Sequence, residues 1–134
     1  MRCLTGLLAA GLLGCSGTPT EPPADVLAIQ DYIAVGQLVE VDKIRTYSNS
    51  GYEKLDNTRY IIFKTRRQDY LVEFDRDCRE IIDNQRVTPD LRKDAYYLRP
   101  RMDTIRGCRI SRAFELNEAQ AEEIRSIGDA PTGG

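Results

Sequence analysis

The sequence predicts an α+β fold in which a curved antiparallel sheet of four to five strands is packed by a C-terminal helix and a short N-terminal helix. Two β-rich runs at residues 58–65 and 70–76 flank a short polar loop, as in a β-hairpin. Residues 106–114 have the composition of a further strand, and residues 117–127 carry the capping and spacing signals of a helix.

The hairpin shows the clearest pattern. A loop of two or four residues places Ile61 opposite Phe74 in the predicted register. The core face then carries Ile61, Phe63, Thr65, Tyr70, Val72 and Phe74, and the opposite face carries Ile62, Lys64, Leu71, Glu73 and Asp75. A one-residue slip would bury Lys64 and Glu73, which would cost far more than it gains.

Two elements are expected before the hairpin. Residues 25–35 place apolar residues at helical spacings, and Asp25 can cap the start of a short amphipathic helix that ends near Gly36. Residues 37–47 resemble a strand whose alternation is interrupted once. A bulge near Asp42 would restore that alternation.

The last strand is expected to place Cys108, Ile110 and Phe114 on one face, with Arg112 as an exception to the pattern. Cys78 has the parity of the hairpin's core face and is expected to point inward if that strand continues.

The C-terminal helix has defined ends in the sequence. Asn117 is predicted to cap a helix over residues 118–127, Gln120 completes a capping box, and Gly128 is the stop signal. The expected buried stripe consists of Ala121, Ile124 and Ile127.

The N-terminal segment has the pattern of a bacterial lipoprotein signal. Arg2 precedes a short apolar run that ends in Leu12-Leu13-Gly14-Cys15, where the bond before the cysteine would be cut. The run is too short for a bilayer core of about 30 Å, which needs about 20 helical residues. The alternative is an ordinary cleaved signal with an incidental cysteine.

The predicted domain organisation follows from this signal. We expect a signal peptide at 1–14, a lipidated flexible tether at 15–24, a single globular domain at 25–128 and a disordered tail at 129–134. Lipid on Cys15 would anchor the chain to a membrane. Because Ser16 follows in place of Asp, the resemblance to lipoproteins implies the periplasmic face of the outer membrane. The alternative is the outer face of the inner membrane.

The remaining cysteines, Cys78 and Cys108, predict a disulfide, because a pair of thiols is oxidised in a periplasmic compartment. The alternatives are a thiol redox pair, which usually has C-x-x-C spacing, or metal ligands. The chain has no His to complete a zinc site. We therefore expect no metal and no cofactor.

Several stretches resemble a family of small Gram-negative lipoproteins that has no assigned function. They are DYIAVGQLVEVDKIRT, TRYIIFKTRRQDYLVEFDRDCREI and TIRGCRISRAFELNEAQAEEI, and the resemblance covers roughly residues 29–127. The shared pattern is a cysteine after a YLVEF-type strand, a second in a CRI-type strand and a closing L-x-x-x-Q-A helix. The resemblance implies one domain with one disulfide, and it brings no catalytic residues.

Few residues suggest catalysis. Without His, the usual Ser-His, Cys-His and His-metal sites are excluded. Asp75 and Asp77 could form a carboxylate pair for glycan hydrolysis or Ca²⁺ binding, but their position at a strand end favours solvated surface charges. Ser111 is interpreted as a structural strand residue.

The segment from Asp90 to Arg112 is basic, with seven Lys or Arg against three Asp in a chain of net charge −2. It could bind an anionic partner, such as an envelope protein, lipopolysaccharide or peptidoglycan. The candidate residues are Arg92, Lys93, Tyr96, Tyr97, Arg99 and Arg101. The favoured interpretation of this segment is nevertheless a solvated face with internal pairs such as Arg99 with Asp103. Arg66-Arg67 at the hairpin tip is interpreted as a solubilising loop.

The sequence therefore favours a membrane-anchored periplasmic lipoprotein that is not an enzyme and binds a protein or a cell-envelope component. The alternatives are a carboxylate-dependent enzyme acting on a cell-wall glycan and an inhibitor of a periplasmic enzyme. The balanced charge argues against a nucleic-acid partner.

Overall fold

The computed structural model describes residues 22–47, 50–81, 91–93 and 96–129. The predicted signal at 1–14, most of the tether and the tail beyond Asp129 lie outside the described residues. The elements are α1 Ala24–Val35, β1 Ile44–Arg45, β2 Gly51–Lys54, β3 Tyr60–Lys64, β4 Asp69–Phe74, a 3-10 turn Arg79–Ile81, β5 Leu91–Arg92, β6 Tyr97–Leu98, β7 Thr104–Ile105, β8 Cys108–Leu116 and α2 Glu118–Asp129.

A curved antiparallel sheet forms the centre of the described chain. Its strand order is β2-β3-β4-β8-β7-β5, and β1 pairs separately with β6. The predicted α+β fold, with a C-terminal and an N-terminal helix packed on the sheet, is confirmed, although the N-terminal helix is as long as the C-terminal one, at 12 residues each. The two-residue strands β5 and β7 extend the sheet beyond β8.

The hairpin forms, but its register differs by two residues from the predicted one. Ile61 lies opposite Val72 rather than Phe74. The reason is the turn, in which the Thr65 hydroxyl donates to the Gln68 carbonyl at 2.9 Å and accepts from the Gln68 N–H at 3.1 Å. Thr65 thus belongs to the loop. Because the shift is even, every side chain keeps its predicted face.

Both faces of the sheet are buried, so the interpretation of the second hairpin face as the non-core face is wrong. The predicted core face contacts the disulfide, β1 and β6. The opposite face packs against the two helices. The buried residues of this second core are Val26, Ile29, Tyr60, Ile62, Leu71, Phe114, Leu116, Ala121 and Ile124.

A bulge in β8 explains the exceptional position of Arg112. Glu73 of β4 lies opposite Arg112, whereas the next residue of β4 lies opposite Ile110, so Ser111 is an extra residue in β8. Such an insertion reverses the alternation beyond it. Arg112 and Phe114 therefore face the helices, and the prediction that Phe114 shares a face with Ile110 is wrong.

The predicted strand at 37–47 is broken. Gln37 has a φ of 51°, and residues 39–41 then run beside β8, where the Val41 N–H donates to the Ala113 carbonyl at 2.9 Å. At Asp42 the chain leaves β8 instead of forming the predicted bulge. Ile44–Arg45 pairs with β6 in the separate two-stranded sheet.

The helix α1 starts one residue before the predicted boundary. Pro23 precedes it without a side-chain cap, so Asp25 lies within the first turn and does not cap the helix. The helix ends at Gly36, as predicted.

The capping box of α2 is confirmed. The Gln120 N–H donates to Asn117 Oδ1, and the Asn117 N–H donates to Gln120 Oε1, both at 2.8 Å. The helix continues to Asp129, past the expected stop at Gly128. Its predicted stripe packs in the second core, with Ala121 and Ile124 buried and Ile127 partly buried.

Candidate functional site

The candidate site is a cavity of about 330 Å³ beside β8. It lies in a gap between two chain segments that hydrogen-bond to the same edge of this strand. Residues 39–41 cover the strand near Ala113, whereas the Ile110 N–H donates to the Asp103 carbonyl at 3.2 Å. The bulged residue Ser111 lies between these two segments and lines the cavity, together with residues 40–42 and 99–102. Ligand sites have volumes of roughly 300–1,000 Å³, and bulges are frequent beside them.

One wall of the cavity is a tight turn closed by Asp103. Its carboxylate accepts hydrogen bonds from the Arg99 backbone N–H at 2.6 Å and from Arg99 Nε at 3.3 Å. The Asp103 N–H in turn donates to the Arg99 carbonyl at 2.9 Å. Because Asp103 is buried, the predicted Arg99–Asp103 pair forms an internal lock. The charge of Arg99 is largely neutralised by this lock.

Arg101 is held in a left-handed backbone conformation on the same turn. Its φ is 68°, which a residue with a side chain adopts at a cost of about 1–2 kcal/mol. Its N–H donates to the Ile110 carbonyl at 2.6 Å, which fixes the turn against β8. Within the described chain, the exposed guanidinium of Arg101 has no acceptor. Backbone outliers of this kind are frequent at functional sites.

The opposite wall is acidic. Glu40 and Asp42 are exposed, and neither carboxylate has a hydrogen bond or ion pair within the described residues. Val41 lies between them and is partly buried against the first core. The lining of the cavity therefore includes Arg101 and two acidic residues that form no ion pair within the described chain, and Glu40 also interacts electrostatically with Arg112.

A polar row of three side chains crosses the helix-facing side of the sheet near this cavity. The Tyr60 hydroxyl donates to Glu73 Oε2 at 2.8 Å, and Arg112 Nη2 donates to the same oxygen at 2.9 Å. Burial, with a smaller contribution from Glu73, raises the pKa of the Tyr60 hydroxyl. The hydrogen bond to Glu73 raises the pKa of Arg112.

Sequence reasoning missed this row because it assigned Glu73 to the non-core face. The position of Arg112 on the predicted apolar face of its strand was the signal that could have revealed this row. A buried carboxylate requires a partner, and Arg112 supplies one after the bulge turns it toward Glu73. The three side chains of the row hydrogen-bond to one another, so we assign the row a structural role.

The six candidate residues of the basic segment lie in several environments. Arg99 and Arg101 line the cavity. Tyr96 is exposed, whereas the Tyr97 ring lies 4.6 Å from the Lys43 ammonium. The remaining two are Arg92, which pairs with Thr104 through its backbone, and Lys93, which is partly buried.

The predicted Cys78–Cys108 disulfide is confirmed. Both cysteines are fully buried in the first core. A carboxylate oxygen of Glu80 lies 3.2 Å from Cys108 Sγ, so the three residues form a cluster with the spacing of metal ligands. Because the sulfurs are bonded to each other, they do not offer the thiolates that a metal ion would need.

A larger cavity of about 540 Å³ lies between the hairpin loop at 65–68 and the start of α2. Its charged groups are paired mainly through Arg125, which donates to Glu53 at 2.9 Å and to Glu122 at 2.7 Å. Arg66 and Arg67 are exposed at its rim, as expected of a solubilising loop. The bond to Glu53 connects β2 to α2, and Arg125 Nη2 also lies 4.0 Å from Asp69 Oδ2 of the hairpin.

The possible carboxylate pair is at the surface. Asp75 and Asp77 are both exposed, and the Asp75 backbone N–H donates to the Arg109 carbonyl at 3.1 Å. This agrees with the interpretation of the two aspartates as solvated charges.

No helix in the described part of the chain is long and apolar enough to cross a membrane.

Comparison with known proteins gives a family without an assigned role. No curated protein and no solved structure matches the chain. A family of unknown function, DUF6491, matches residues 1–126, and the chain therefore belongs to that family.

Proposed function

We propose that this protein is a lipoprotein of the bacterial envelope, anchored by lipid on Cys15 to the periplasmic face of the outer membrane. It acts by binding an envelope component and not by catalysis. The buried Cys78–Cys108 disulfide is the observation that carries the proposal, because stable disulfides form in oxidising compartments. The Leu12-Leu13-Gly14-Cys15 pattern and the resemblance to Gram-negative lipoproteins support the anchor.

The binding role is supported by the cavity beside Ser111. The backbone of both walls is hydrogen-bonded to β8, and the Arg101 guanidinium and the Asp42 carboxylate have no hydrogen bond or ion pair within the described chain, as expected of groups that bind a ligand. By contrast, the buried polar row around Glu73 is satisfied internally.

Mass spectrometry of the mature N-terminus tests the anchor. We expect a cysteine carrying a diacylglyceryl group and an amide-linked acyl chain. The Cys15→Ser variant should lose both groups and leave the membrane fraction. An unmodified Cys15 in the membrane-derived protein would contradict the proposal.

The sorting test uses Ser16. In Ser16→Asp, the same lipidated protein should move to the inner membrane, while Ser16→Thr should remain in the outer-membrane fraction of a density gradient. Equal distribution of all three proteins would refute the proposed location without affecting the anchor.

Binding to the envelope can be measured by co-sedimentation of the lipidated protein with purified peptidoglycan and by cross-linking in intact cells. We expect saturable sedimentation that depends on Arg101. No saturable sedimentation and no cross-linked envelope partner would refute the binding role.

A further inference from the structure

We infer that the cavity beside Ser111 binds an α-amino-acid zwitterion, namely the free ammonium and carboxylate on the side-chain end of a diaminopimelate residue in a cell-wall peptide. The inference rests on the proposed function and names its ligand class. It differs from the sequence-based expectation of a plain anion, because the cavity has an acidic wall that the sequence did not place there.

The charge of the lining supports a ligand with both signs. The carboxylates of Glu40 and Asp42 would repel a simple anion such as a phosphate. The free guanidinium of Arg101 would repel a simple cation. A zwitterion places its carboxylate on Arg101, where two parallel N–H bonds are possible, and its ammonium on the acidic wall.

The geometry of the lining is fixed before a ligand arrives. The Arg99–Asp103 lock and the bond from the Arg101 N–H to Ile110 hold the basic wall. The bond from the Val41 N–H to Ala113 holds the acidic wall against the same strand. Because the backbone of both walls is attached to β8, binding needs ordering of the side chains but not of the backbone, which favours affinity.

The remaining lining groups suit a ligand with both polar groups and a methylene chain. Ser111 offers a hydroxyl that can donate or accept one hydrogen bond. Pro100 and Met102 supply apolar surface on the rim, and Met102 is 65% exposed. Flexible, exposed methionine is typical of surfaces that bind more than one related ligand.

The probe for the test is meso-diaminopimelate, a free amino acid with two such zwitterionic centres. Two matched probes are its di-N-acetyl derivative, which keeps the carboxylates, and its diamide, which keeps the ammonium groups. Titration calorimetry on the mature lipidated protein in detergent should show binding of the free amino acid. Each derivative should bind at least tenfold more weakly.

The key variant is Arg101→Asn, because Asn tolerates a positive φ and leaves the turn intact. We expect it to weaken binding of the free amino acid at least tenfold, and Asp42→Asn to weaken it severalfold. Arg66→Gln, at the hairpin tip, is the control and should bind as the unaltered protein does.

Two outcomes would overturn the inference. Equal binding of the di-N-acetyl derivative would indicate a plain anion site, and absence of binding by all three probes would exclude the zwitterion. If the protein still sediments with peptidoglycan when no probe binds or competes, the proposed function stands and the ligand class fails. If it neither sediments nor cross-links, both fail.

Discussion

Opening the Cys78–Cys108 disulfide should lower the free energy of unfolding by about 3.6 kcal/mol. The two cysteines are 30 residues apart in sequence. In the chain-entropy model, a loop of this length removes about 12 cal/mol/K from the unfolded chain, which is about 3.6 kcal/mol at 25 °C. The bond joins the segment after β4 to the first residue of β8, inside the first core.

This loss is large for a domain of this size. Native proteins are typically stable by about 5–15 kcal/mol. A loss of about 3.6 kcal/mol lowers the ratio of folded to unfolded protein roughly 400-fold. We therefore expect the reduced protein to remain folded at 25 °C with a much lower urea midpoint.

Urea unfolding followed by far-UV circular dichroism provides the measurement. Because both sulfurs are buried, the protein should be reduced with a phosphine while unfolded and then refolded in the reductant. The slope of the free energy against urea should rise, since a chain without the cross-link exposes more surface when unfolded. The Cys78→Ala/Cys108→Ala variant, which should not respond to reductant, is the control.

Two results would refute the reasoning. A difference of less than about 1 kcal/mol between oxidised and reduced protein would mean that the unfolded chain is not constrained as the entropy model requires. An equal change on adding reductant to the double variant would show that the effect does not come from this disulfide.

Three further substitutions test the polar row and the helix cap. Tyr60→Phe should cost about 1.5–3 kcal/mol, because a hydrogen bond to a charged partner is lost. Since the folded-state pKa of Tyr60 is raised, the stability linked to its proton is present below a pH of about 10 and is lost as the pH rises above it. Urea midpoints from pH 8 to 11.5 should thus fall less steeply in Tyr60→Phe, and an unchanged slope would contradict this assignment. Arg112→Leu should lower the free energy of unfolding by about 1–2 kcal/mol, less than for a fully buried pair because the Arg112 side chain is 42% exposed. This loss should be smaller when Glu73→Leu is also present. Strictly additive losses in urea unfolding would argue against an interaction between Arg112 and Glu73. Asn117→Ala should lower stability by about 1 kcal/mol through loss of the α2 cap, whereas Asn117→Ser should change it little; equal thermal midpoints for both variants would contradict the capping role.

Much of the fold could be predicted because its signals are local. The alternation in β3 and β4 depends on neighbouring residues alone, and so does the reciprocal bonding of Asn117 and Gln120. Even the error of two residues in the hairpin register did not change any side chain's face. The error arose at Thr65, whose hydroxyl bonds are decided by the turn.

Other features depend on contacts that a linear pattern does not contain. The bulge at Ser111 changes the face of Arg112 and Phe114, and it is stabilised by pairing with β4. The burial of Glu73 is acceptable only because Tyr60 and Arg112 reach it from the two neighbouring strands. A sequence interpretation that places charge at the surface by default cannot foresee this arrangement.

The sequence by itself determined the two helices, the hairpin strands, the last strand, the two cysteines that form the disulfide and the pair of Arg99 with Asp103, because these rest on periodicity, composition and short spacing. Only the tertiary structure decided that both sheet faces are buried and that Arg101 faces a cavity whose other wall carries Glu40 and Asp42. The physical reason is that β8 is covered along one edge by two segments distant in sequence. The cavity between these two segments exists only after both segments have paired with β8.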